Sequence, residues 1–246
     1  MNRYKADLHI HTVLSPCANI EMSPVNIVKR ALMKGLNIIG ITDHNSTLQC
    51  ATVKELAAPH GIMVLCGAEV TSKEEIHCLA FFEDDESLAE FQKYLMLHQL
   101  KQPNTNNSFG YQVVVDKDNN ITAEIDNYLG MAMDVGYLQI QEIVHQLNGL
   151  FIPAHIDRVR FSLMSQLGFV PNDINADALE IFNRTSISRF MKENGYLTHY
   201  TFIRNSDAHH LDDIGQYYSW FIMNELSFSE IRMALKYKNG RLVTID

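Results

Sequence analysis

The sequence predicts an α/β protein folded as a closed (β/α) barrel of about seven strands. Short apolar runs alternate with amphipathic helical stretches along most of the chain, the pattern of a largely parallel sheet clothed in helices. The polar residues capable of chemistry sit just past the ends of those runs, where barrels build their sites. A length of 246 residues suits one barrel better than two small domains.

The first strand is Asp7-Leu8-His9-Ile10-His11, whose period of two points Asp7, His9 and His11 to one face. Ser23-Pro24 then reads as an N-cap followed by proline at the first helical position, and Gly35 closes that helix. A buried strand over 36–41 runs into Thr42-Asp43-His44-Asn45, and a helix follows over 46–58. The next strand, 62–66, leads into Gly67-Ala68-Glu69, and another spans 76–81, before a helix over 87–100. Residues 101–136 break the rhythm: 111–115 and 121–125 flank a polar turn and predict a hairpin. This stretch is too short to own a core and reads as an insertion or lid on a single domain spanning 1–246. The alternation resumes with a helix over 138–148, a strand over 150–154 running into His155, and a short helix over 161–167. A strand over 178–182, a helix over 187–193, a strand over 201–204 and a last helix from Ser227 complete the count.

Composition narrows the function classes. At 46% hydrophobic and 20% charged the chain is an ordinary globular protein, and its formal charge of −9 argues against a broad surface for long nucleic acid. The N-terminus shows no apolar signal segment, and no run reaches the roughly 18 apolar residues of a membrane span. The four cysteines form no CxxC pair, so reduced thiols in a cytoplasmic protein are expected. Neither a GxSxG turn nor a GxxxxGK[ST] loop is present, which removes serine hydrolase and P-loop chemistry.

A lone HxH is as easily a pair of surface histidines as a metal site. Here the later strand ends add Asp43, His44, Glu69, His155, Asp207 and His209, and in a barrel these converge. Histidines and carboxylates without paired thiolates suit two or three divalent cations such as Zn, Mn or Fe. Arg158 and Arg184 fall on the same end, where a guanidinium clamps phosphate with paired hydrogen bonds.

Asp7-Leu8-His9-Ile10-His11-Thr12, Ile41-Thr42-Asp43-His44, Gly67-Ala68-Glu69, Pro153-Ala154-His155 and Asn205-Ser206-Asp207-Ala208-His209 together resemble the polymerase and histidinol phosphatase (PHP) family. The motifs follow the family order along nearly the whole chain. The resemblance implies a distorted (β/α)7 barrel with up to three metals and phosphoesterase chemistry. It implies that His9, His11, Glu69 and Asp207 hold one metal, that Glu69 bridges to a second held by His77 and His155, and that His44 and His209 hold a third. The family's further third-site ligand, often Asp or His, falls where this chain has Val13-Leu14-Ser15-Pro16-Cys17. Either Cys17 stands in as a thiolate or the third site is weak, with Glu21 a more distant candidate. Asp43 is expected either to orient an imidazole or, like His209, to protonate a leaving oxygen, and Asp7 to orient an imidazole likewise. The expected activity is hydrolysis of a small or nucleotide phosphomonoester by metal-activated water. The alternatives are a nuclease or oligonucleotide phosphodiesterase, and a regulatory metal-binding module.

Overall fold

The computed structural model describes residues 1–182 and 184–245. The chain opens with β1 (Asn2–Ile10), α1 (Pro24–Met33), β2 (Ile38–Ile41), α2 (Cys50–Ala57), β3 (Met63–Thr71) and β4 (His77–Phe82). It continues with α3 (Asp85–His98), the hairpin β5 (Val113–Val115) and β6 (Ile121–Glu124), α4 (Tyr137–Gln146), β7 (Leu150–Pro153) and α5 (Leu163–Leu167). The last elements are β8 (Leu179–Glu180), α6 (Ile187–Glu193), β9 (Phe202–Ile203), β10 (Ser219–Met223), α7 (Phe228–Leu235) and β11 (Leu242–Ile245).

One curled sheet runs β11-β10-β1-β2-β3-β4-β7, and β8 pairs with β9 separately in parallel. Backbone hydrogen bonds close the ring. Asp177 N donates to Phe151 O and Ile156 N to Glu180 O, which ties the β8 segment to β7. On the other side His11 N donates to Ala208 O, and Ala208 N to His9 O. The seven ring strands β1, β2, β3, β4, β7, β8 and β9 are the seven expected from the sequence, giving the distorted barrel. β10 and β11 add to the outer side of β1 and were not anticipated.

The sheet is mixed, which corrects the expectation of a largely parallel one. β4 runs antiparallel to both β3 and β7, and β10 antiparallel to β1 and β11. The cause at β4 is the length of its connection. Residues 72–76 form a tight turn closed by Ser72 N donating to Ile76 O, with Glu75 left-handed at φ 60°. A parallel return requires a crossover of a dozen or more residues. The consequence is that His77 opens its strand, whereas Glu69 and His155 lie toward the ends of theirs.

Alternation along the strands separates two layers. Leu8, Ile38, Leu65, Leu79, Ile152 and Ile203 fill the barrel, while Ile39, Ile41 and Cys66 face α1 and α2. The strands approach so closely at Gly40 and Gly67 that a Cβ would lie 2.3 Å from Leu8 O and 1.8 Å from Ala80 O. α1 begins at Pro24 as expected, but α2 starts at Cys50 because 43–49 is spent on other bonds. Asn45 Nδ2 donates to the carbonyls of Leu129 and Met131 at 2.6 and 2.7 Å, and Gln49 exchanges two hydrogen bonds with the Val115 backbone. The insertion is thereby fastened over the end of the barrel that carries the histidines.

Candidate metal centre

Glu69 is the hub. Its Oε1 lies 3.2 Å from His9 Nε2, 2.8 Å from His77 Nδ1 and 3.2 Å from His155 Nε2. Its Oε2 lies 3.4 Å from His11 Nε2 and 3.1 Å from His44 Nδ1. One carboxylate, 1% exposed, thus faces imidazoles from β1, β4 and the loops after β2 and β7. Burial alone pushes its carboxyl up, but the surrounding imidazoles outweigh that and hold it well below the usual range.

The β1 pair shows what the cluster is built to hold. His9 Nδ1 donates to Glu180, whose oxygens lie 3.1 and 3.2 Å away and can only accept. His11 Nδ1 lies 3.0 Å from Ser15 Oγ, whose own proton goes to Asp43 Oδ1 at 2.7 Å. Both neutral rings therefore turn a bare Nε2 inward, and the two nitrogens stand 3.2 Å apart. Asp207 Oδ1 lies 3.4 and 3.5 Å from them. Lone pairs so converged repel unless a cation lies among them. Without a metal, protons partly fill that need: burial pushes His11 down, yet its bonds to Asp207 and Glu69 raise it to about 9.

The donor set fits divalent cations. Ligand atoms of His9, His11 and Glu69 converge, as do those of His44, Glu69 and His77, and those of His11, His44 and His209. His155 Nδ1 is buried without a hydrogen-bond partner, and His44 Nδ1 is buried with the Glu69 carboxylate near but not in hydrogen-bonding geometry. His155 and Asp207 also hold left-handed backbone at φ 27° and 54°, a strained conformation for residues with side chains and one concentrated at functional sites. All four expected ligands of the first metal are brought together, and His77 and His155 meet on the same oxygen of Glu69, as the second requires. His44 touches Glu69 and also joins the His11–His209 group.

At the third group Cys17 Sγ lies 3.1 Å from His209 Nε2. Desolvation, with Glu69, Asp207 and Asp43 nearby, pushes the Cys17 thiol up to about 12. A bound cation is what would release its proton. Glu21 is exposed and lines neither cavity at this end.

Three expectations are corrected by the contacts. Asp43 has no place at a leaving oxygen. It is 1% exposed and accepts from Thr12 N, Thr12 Oγ1 and Ser15 Oγ at 2.7 Å each, fixing the turn after β1. His209 has no spare proton either. Its Nδ1 donates to Asp207 O at 3.0 Å, and burial beside His11 lowers it to about 4. Its Nε2 faces the His11–His44 group instead, among atoms that could hold an ion. Asp7 does not support the imidazoles; it accepts from Ser206 N, Ser206 Oγ and Gly215 N at 3.0, 2.6 and 2.8 Å.

Glu180 was overlooked in the sequence. Besides gripping His9 it accepts from His155 N at 2.9 Å and Asn205 Nδ2 at 2.7 Å, so it binds three ligand-bearing segments together. The signal was present: a carboxylate inside the apolar run 178–182 needs a partner.

A cavity of about 220 Å³ lies over the cluster, lined by Pro16, Cys17, His44, Glu69, His77, Arg158 and, from the insertion, Tyr128 and Gly130. Arg158 Nη1 lies 3.0 Å from Asp207 Oδ2 and borders this cavity and a neighbouring one of about 410 Å³, where Arg184 also stands.

The PHP domain profile matches residues 7–196. The uncharacterized protein YqxK of Bacillus subtilis is 26% identical over 99% of this chain and 64% of its own length. The lesion-specific endonuclease Q of Pyrococcus furiosus superposes with a TM-score of 0.72 at 22% identity, covering 98% of this chain and 58% of that one. A structure described as a candidate metal-dependent phosphoesterase from Bifidobacterium adolescentis superposes at 0.56 with 17% identity, over 92% and 94% of the two chains. The chain thus spans less than two thirds of YqxK and of the endonuclease.

Proposed function

Because this chain belongs to the PHP domain family, we propose that it hydrolyses phosphoesters with two or three divalent cations held by His9, His11, His44, Glu69, His77, His155, Asp207, His209 and Cys17. The observation that carries the reading is the Glu69 hub, one buried carboxylate shared by five imidazoles. When bound, such ions supply positive charge against the ester oxygens and bring the pKa of water toward neutrality. The residues do the rest. Glu69 and Asp207 keep the donor atoms at fixed separations, and Glu180 and Ser15 lock the His9 and His11 tautomers so that Nε2 faces inward. Arg158 borders the cavity with its guanidinium partly exposed and placed to bond the phosphoryl oxygens, while Arg184 meets the part of the substrate that extends beyond it. Tyr128 and Phe161 wall the cavity against bulk water.

The small cavity favours a small phosphorylated substrate, a phosphomonoester, and the net charge of −9 disfavours long nucleic acid. The endonuclease likeness keeps a phosphodiester as the second reading. Among the described residues no helix is long and apolar enough to cross a membrane, and four free thiols fit the reducing cytoplasm, where we place the protein.

The test is metal content after reconstitution, followed by turnover of 4-nitrophenyl phosphate, its bis-ester and short 5′-phosphorylated oligonucleotides. At least two ions per chain and preference for the monoester are expected. Fewer than two ions, or full turnover in His155→Ala and Asp207→Ala, sinks the proposal. Preference for the bis-ester selects the second reading.

A further inference from the structure

Cys17 brings a sulfur atom to the metal centre, and the chain holds it there from several directions. Of the four thiols it alone is exposed; Cys50, Cys66 and Cys78 are buried. Ser15 N donates to Thr12 O and Ala18 N to Ser15 O, both at 3.0 Å, so Cys17 follows one tight turn and lies within a second. Asn19 N donates to His209 O at 2.9 Å, which lashes this segment to the one that carries His209. From the insertion, Gly110 presses on Pro16 with left-handed backbone at φ 106°, and a Cβ there would lie 2.0 Å from Pro16 O. The result is a sulfur 3.1 Å from His209 Nε2, the ring nitrogen left bare because Nδ1 donates to Asp207 O.

A second feature points to an ion at this spot. His44 is buried, its Nδ1 takes part in no hydrogen bond, and it offers a ligand atom that converges with those of His11 and His209. The donors here differ in kind from those around Glu69 and Asp207, which are nitrogen and oxygen throughout. Thiolate is a soft ligand that favours zinc-like ions, whereas carboxylate and imidazole accept a wider range that includes manganese. The positions of the cluster are therefore not interchangeable.

We propose that Cys17, His44 and His209 form a thiophilic position that selects Zn²⁺ over Mn²⁺, unlike the positions around Glu69, the juxtaposition of Cys17 Sγ with His209 Nε2 setting it apart. The inference rests on the metal-dependent reading for the neighbouring ions and on the sulfur for the selectivity.

The experiment reads the sulfur directly. The reduced, chelator-stripped protein is titrated with Co²⁺ and followed by absorbance, and then with Zn²⁺ and Mn²⁺ in competition. Wild type should show a near-ultraviolet sulfur-to-cobalt charge-transfer band. Cys17→Ser should lose that band and keep the weaker visible bands of the remaining positions, since the three buried thiols are still present. It should also lose at least the roughly 10- to 100-fold in Zn²⁺ affinity that a ligand's supporting partner carries, with Mn²⁺ uptake little changed. Cys17→Asp puts oxygen in place of sulfur and should raise the share of Mn²⁺ bound. No charge-transfer band in cobalt-saturated wild type, or the same Zn²⁺-to-Mn²⁺ preference in wild type and Cys17→Ser, overturns the thiophilic position and leaves the metal-dependent hydrolase standing. A band that Cys17→Ser abolishes, in a protein that hydrolyses no phosphoester, upholds the position and overturns the chemistry.

Discussion

Glu180 holds His9 by its Nδ1 at 3.1 Å, while the same ring turns Nε2 to within 3.2 Å of Glu69. Neither carboxylate moves the ring alone; together they fix its tautomer and its aim. Glu180→Gln offers His9 a neutral partner with half the acceptors. Metal affinity should fall about 10- to 100-fold, read by competition against a chelator. Unchanged affinity would mean that packing alone orients His9.

Asp43→Ala removes the acceptor of three short hydrogen bonds from Thr12 and Ser15 in a buried turn. The expected loss is roughly 1–3 kcal/mol in urea unfolding, because buried donors are left unpaired. Full stability with lost turnover would return Asp43 to a chemical role.

Arg158 pairs with Asp207 and is the more exposed of the two. Arg158→Ala should reduce kcat/KM about 10- to 100-fold, the worth of a charged hydrogen bond to phosphate, with the urea midpoint little changed. Wild-type kinetics would leave the phosphate without this clamp.

Gly67→Ala would force a Cβ to 1.8 Å from Ala80 O across the β3–β4 pair. Backbone on both sides leaves little room to yield, so a loss of roughly 3 kcal/mol or failure to accumulate folded protein is expected. A variant of normal thermal midpoint would show that the strands separate easily.

Asp177 lies at the other end of the barrel. Burial pushes its carboxyl up, but the His145 hydrogen bond, Phe151 N and Lys236 outweigh this and hold it below the usual range. A depressed carboxyl contributes stability that is full above about pH 4 and is lost as pH falls through its lowered folded value. Asp177→Asn should therefore cost about 1–3 kcal/mol at pH 7 and less at pH 3.5. Equal costs at both pH values would deny the ionic contribution.

The seven ring strands and several candidate ligands were legible because His9, His11, His44 and His155 interrupt or end apolar runs, whereas His77, which opens its strand, followed only from the resemblance. The leaving-oxygen role for Asp43 and the imidazole role for Asp7 do not hold because their contacts depend on partners about 30 and 200 residues away, Ser15 and Ser206, which no local pattern announces. The direction of β4 was readable in hindsight from the five residues between Thr71 and His77. β10 was missed although 219–223 alternates buried and half-buried residues, with Arg3 laid over Trp220 at 3.9 Å.

β4 and β7 are neighbours in the sheet, yet the chain leaves between them for α3, the hairpin insertion and α4 before returning. His77 and His155 are anchored on the two sides of that excursion. The barrel therefore carries a replaceable cassette at its mouth. A lineage can lengthen, shorten or rewrite it, and so alter which molecules gain entry, while the strands that aim the metal ligands keep their register.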